Sequence, residues 1–129
     1  MKIDFLKQRA DDFLKTAKEG IPAKRYNLAA FNFEQATQLY LKHCLFVSLK
    51  DFPKIHELDK LLVGVGKACG KPDEVDKFFK ENSSVIGDLN QSYLTARYLP
   101  VDFNLYQVQE MEKFVEKLTA FLKEICPKI

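Results

Sequence analysis

The 129 residues contain no CxxC pair, no paired-histidine metal motif, no Walker loop and no nucleophile elbow, so the common enzyme constellations are missing. The three cysteines, Cys44, Cys69 and Cys126, are odd in number and far apart in sequence. That pattern suggests neither a disulfide framework nor a zinc site, and reads as small core residues of a reducing compartment. Only two histidines occur, His43 and His56; beside three cysteines, a Cys–His pairing is expected by chance and does not support nucleophilic catalysis. No stretch reaches the roughly 20 apolar residues that span a bilayer. The start, MKIDFLKQRADD, alternates charged with apolar residues and lacks the unbroken apolar run of a secretory leader. The expectation is a cytoplasmic protein with no metal and no cofactor. Charge of one sign is also lacking: 20 Lys and Arg against 18 Asp and Glu leave a net charge of +2. Such a chain does not hold a long nucleic acid by its overall field, although a local basic patch stays open.

What is present is ordinary globular composition, 47% hydrophobic and 29% charged, in a chain long enough for one domain with a real core. Residues 1–129 are read as that single domain. Leu6, Ala10, Phe13, Leu14 and Ala17 recur at helical intervals between Phe5 and Ala17, with Gly20 and Pro22 as a stop. IPAKRY turns the chain, and Asn27 is placed to cap a second helix over Leu28 to Leu49. This helix carries Ala29, Phe33, Ala36, Leu39, Tyr40, Phe46 and Val47 on one broad face, joined by Asn32 and His43, with Glu34, Thr37, Gln38 and Lys42 opposite. So wide an apolar face suits a central element touching several neighbours.

Asp51 and Pro53 are read as opening a third helix whose stripe is Ile55, Leu58, Leu61, Leu62, Val65 and Cys69, ending at Gly70. Gly64 and Gly66 fall inside that helix without a preceding strand and are not a phosphate loop. His56 points off the stripe, lining a cleft or facing solvent. After KPDE, the residues Val75, Phe78, Phe79, Ile86, Leu89 and Tyr93 keep helical register, with a kink or short break signalled by Asn82, Ser83, Ser84 and Gly87. Val108, Met111, Val115, Leu118, Phe121, Leu122 and Ile125 mark a last helix over Leu105 to Ile125, stopped by Pro127. The pattern predicts an all-α, up-and-down antiparallel bundle of four to five helices.

The stretch LNQSYLTARYLP places Tyr93 and Arg97 four residues apart, one above the other on a helix face, with Tyr98 next and Pro100 ending the segment. An arginine beside two tyrosines suits phosphate binding or base stacking, and equally a structural pin. NFEQATQLYLKHCLF (Asn32 to Phe46), KIHELDKLL (Lys54 to Leu62) and SYLTARYLP, in that order, resemble the HEPN domain family, small helical bundles, over about Asp4 to Ile125. The resemblance matches Gln35, Ala36 and Lys42 in the second helix, His56 ahead of a leucine pair, and Tyr93, Arg97, Tyr98 and Pro100, with Leu99 inserted before the proline.

That resemblance implies two kinds of function. One branch of the family is nucleotide-binding or associated with minimal nucleotidyltransferases. The other comprises metal-independent ribonucleases and toxins that carry an arginine, four to six residues and a histidine. Here YLPVDFNLYQ follows Arg97 and holds no histidine, which removes the proton-transferring imidazole from that position. The leading expectation is therefore a homodimerising module that binds a nucleotide or a minimal nucleotidyltransferase. Arg97 contacts phosphate, Tyr93 and Tyr98 orient it or stack on a base, and His56 or Asn32 completes the rim. The alternative is an RNase acting on RNA through Arg97 with His56 or His43 as base.

Overall fold

A computed structural model of the chain describes residues 5–127; residues 1–4 and 128–129 of the expected domain lie outside the described residues. The helices are α1 (Phe5–Gly20), α2 (Tyr26–Leu49), α3 (Leu58–Cys69), α4 (Pro72–Glu81), α5 (Ser83–Tyr98) and α6 (Leu105–Ile125). Among the described residues the all-α expectation holds, with six helices where four to five were expected. The added element comes from Asn82. Its side-chain amide donates to the Phe78 carbonyl at 2.8 Å, and its backbone leaves helical geometry at φ −122°, ψ 18°. What reads as one kinked helix is thus cut into α4 and α5, and Lys117 from α6 donates to the Asn82 side-chain oxygen at 3.2 Å.

α1 and α2 form an antiparallel hairpin, since Gly20 meets Ala29 at one end and the Tyr40 hydroxyl donates to Asp11 further along. Burial is the main cause raising the Tyr40 phenol above its ordinary range, with the Asp11 carboxylate adding to it. A Cβ on Gly20 would come 3.3 Å from that of Ala29, so the two backbones approach more closely than larger residues allow. α2 packs against α1, α3, α5 and α6 and is the axis of the molecule, as its breadth of apolar residues predicted. Phe33 and Leu41 on α2, Leu58, Leu61 and Leu62 on α3, Ile86 and Leu89 on α5, and Met111, Phe114, Leu118 and Leu122 on α6 are fully buried. Each such side chain contributes about 1.5–3 kcal/mol relative to an exposed one.

Three local expectations are corrected. Asn27 lies inside α2, whose N-cap is Arg25. Its side chain instead latches the α5–α6 connection, accepting from the Phe103 amide at 2.8 Å and donating to Asp102 at 2.8 Å. The segment at Asp51 and Pro53 is not helical, and α3 starts at Leu58, where the Asn90 side chain accepts the Leu58 amide at 3.0 Å. Tertiary contact with α5 thus supplies what a local cap would. The strip Glu34, Thr37 and Gln38, read as the polar side of α2, is buried as well, because neighbouring helices enclose α2 on that side too. Gly70, in contrast, ends α3 as expected, adopting the left-handed φ of 67° that glycine tolerates without strain. Gly66 is a packing residue, its absent Cβ leaving room for Pro72 and Val75 of α4 within 3.2 Å.

The cysteines, so far apart in sequence, converge. Their three sulfurs lie within 4.8 Å of one another where α2, α3 and α6 end.

Candidate functional site

Arg97 sits in the last turn of α5, exposed to solvent. Its Nε and Nη2 both donate to the carbonyl of Tyr93, at 3.0 and 2.8 Å, which fixes the side chain over the turn before it. The guanidinium carbon lies 4.8 Å from the ring centre of Tyr93, 4.7 Å from that of Tyr98 and 5.2 Å from that of Phe31 on α2. These are cation–π distances, at which the electron-rich ring faces hold a cation without neutralising it. Among the described residues no carboxylate stands within ion-pair distance of Arg97. The charge is oriented and still available.

His56 lies in the extended segment before α3 and stacks its ring on Tyr93, with centroids 4.3 Å apart and planes 3° from parallel. Its Nδ1 is 3.9 Å from the Glu57 carboxylate. The same tyrosine therefore touches both the guanidinium and an imidazole, so the half-buried Tyr93 is the centre of the group. Tyr98 is 68% exposed and offers a ring face to whatever meets Arg97. Asn32 is not part of this group: it opens on a hollow of about 150 Å³ lined with Thr16, Glu19, Ala23 and Leu28. His43 is buried and borders a small hollow with Lys7, Tyr40 and Leu122.

One residue at this site escaped the sequence reading. Glu34 is 0% exposed and accepts from Gln38 at 2.6 Å and from Gln35 at 2.8 Å. Burial pushes its carboxyl up from 4.5 to about 7, against the two amide donors and the positive fields of Lys42 and Arg97. Burial also lowers the ammonium of Lys42, opposed by the Glu34 charge. A buried carboxyl poised near neutrality, within the field of an exposed guanidinium, is the kind of group that marks functional sites. The signal was available: Phe31, Glu34, Gln35 and Gln38 are spaced to share one side of α2, and a glutamate among amides on the most apolar helix is out of place on a solvated face.

Beside Arg97 runs an apolar surface. Leu94, Tyr98, Leu99, Val101, Leu105 and Tyr106 are each between 41% and 68% exposed along the end of α5 and the start of α6. A hollow of about 520 Å³ between α3 and α4, walled by Leu62, Val63, Val75 and Phe79, does not include Arg97. Among the described residues no helix is long and apolar enough to cross a membrane.

A family model described as the HEPN domain matches residues 3–126. The chain belongs to the HEPN domain family. No curated protein and no solved structure matches it.

Proposed function

We propose that the chain is a binding module in which Arg97 takes a phosphate of a nucleotide, while a protein partner covers the apolar surface alongside. The partner is a minimal nucleotidyltransferase or, given the dimers this family often forms, a second copy of the chain. The observation that carries this reading is the state of Arg97: exposed, held by two hydrogen bonds to the Tyr93 carbonyl, framed by aromatic rings and, among the described residues, without a carboxylate at ion-pair distance. A guanidinium so prepared loses little freedom on binding and keeps Nη1 for a charge-assisted contact to phosphate. The exposed ring of Tyr98 suits stacking on a base. An apolar surface of this kind beside it is what association sites leave exposed in the isolated molecule.

Titration calorimetry of the folded protein with a nucleoside triphosphate, alone and with the nucleotidyltransferase partner, tests the reading. Arg97→Ala is expected to weaken binding at least tenfold; unchanged affinity rules the reading out.

A specific observation also supports the RNase reading. The histidine missing downstream of Arg97 has a counterpart in His56, stacked on the tyrosine that Arg97 covers. Metal-free incubation with RNA separates the two readings. Cleavage that disappears in both Arg97→Ala and His56→Ala assigns an enzyme, and intact RNA leaves the binding module.

A further inference from the structure

Cys44 and Ser48 are four residues apart on α2 and so share one side of it. Cys69 is the last residue of α3 and Cys126 the C-cap of α6. Three helix ends thus bring three thiols together, with every sulfur within 4.8 Å of the other two. The Ser48 hydroxyl lies 3.5 Å from the Cys126 sulfur and 3.7 Å from that of Cys69. Cys44 and Cys126 are buried and Cys69 is partly open to solvent, so the cluster has a dry interior and one accessible edge.

The geometry points to a binding site for one soft d10 cation of the zinc, cadmium and copper(I) class, held by the sulfurs of Cys44, Cys69 and Cys126 with the Ser48 hydroxyl beside them. Thiolate–zinc bonds of about 2.3 Å in trigonal or tetrahedral geometry separate the sulfurs by about 4 Å. The three sulfurs reach that spacing by moving less than about 1 Å, within the range of rotamer adjustment. Thiolate sulfur selects soft ions over magnesium or calcium.

The electrostatics of the cluster act in both directions. Burial raises the Cys44 and Cys69 thiols above their ordinary range, which makes the thiolate costly until a cation stands beside it. The carbonyl ends of α2, α3 and α6 carry partial negative charge, which welcomes a cation and opposes an isolated thiolate. Each metal–sulfur bond replaces a sulfur–hydrogen bond, and the proton leaves to solvent. The bound ion would tie together the ends of three helices that the Ser48 hydroxyl already links through its contacts to Cys69 and Cys126.

Cadmium is the probe. Reduced, folded protein is titrated anaerobically with Cd²⁺, following the thiolate-to-metal charge-transfer band, the mass of the native species and the melting temperature. The band is expected to saturate at one ion per chain, with proton release and a higher melting temperature. Cys69→Ser, at the partly exposed edge, keeps the fold and is expected to weaken binding about a hundredfold or more; circular dichroism confirms that it is folded. An unchanged spectrum and melting temperature in reduced wild-type protein would overturn the assignment. So would wild-type affinity in folded Cys69→Ser, or oxidation of two thiols to a disulfide without uptake of an ion.

Discussion

Phe31 and Glu34, near the start of α2, look across to an α5 terminus that water reaches, where an arginine is framed by rings and left charged. Cys44 and Ser48, near the end of the same helix, look into a largely buried junction of helix ends where three sulfurs meet. Phe31 and Ser48 are about 25 Å apart along the helix axis at 1.5 Å per residue. The first region spends its residues on orientation, through two hydrogen bonds to one carbonyl and stacked rings. The second spends them on exclusion of water, through burial and close approach. A single rigid helix therefore carries one site whose chemistry depends on exposure and another whose chemistry depends on its absence.

The contrast is broken most severely by placing a charge in each region. Cys44→Asp puts an unpaired carboxylate into the buried junction and is expected to destabilise the fold by about 4 kcal/mol or more. Tyr98→Asp at the exposed end of α5 is expected to change stability by no more than about 0.5 kcal/mol. Urea denaturation of the two variants measures both, and equal effects would remove the distinction.

A smaller effect sharpens the account of the wet end. Burial raises the Glu34 carboxyl from its ordinary 4.5 to about 7, so the folded protein holds this proton more tightly than the unfolded chain. Stability then declines as pH rises from near 4.5, and the decline is complete above about pH 7. Glu34→Gln removes the penalty. Its stability relative to wild type is expected to rise by about 3 kcal/mol between pH 4.5 and pH 8, read from unfolding curves across that range. A flat difference would mean that Glu34 titrates over the same pH range in the folded and unfolded chain.

A smaller loss is expected at the latch that holds the α5–α6 connection. Asn27→Ala leaves the Phe103 amide without its acceptor and is expected to cost about 1 kcal/mol. Hydrogen exchange at Phe103 should rise while that at the α6 C-terminus stays as it was.

The apolar stripes of the last three helices and the central place of α2 were legible because each rests on a periodicity that one segment carries by itself. The grouping of Tyr93, Arg97 and Tyr98 was legible for the same reason, lying within one helical turn and its edge. What lay hidden depends on partners remote in sequence. Proline at 53 resembles a helix start, but α3 begins five residues later, where Asn90 of α5 receives the Leu58 amide. The polar strip of α2 looked solvated because a helical wheel cannot show how many neighbours surround a helix. His56 gains its meaning only by stacking on Tyr93, and the cysteines theirs only when three helices end together.

α2 is enclosed along much of its length by α1, α3, α5 and α6, and this makes it a timing shaft between its two ends. Removing one residue from its middle would turn one end by about 100° against the other. If Glu34 then kept its place, Cys44 would be swung out of the sulfur cluster. If Cys44 kept its place, Glu34 would turn with Gln35 and Gln38 out of the field of Arg97. Point substitutions can alter either end alone, but a change of length in this helix puts both out of phase at once.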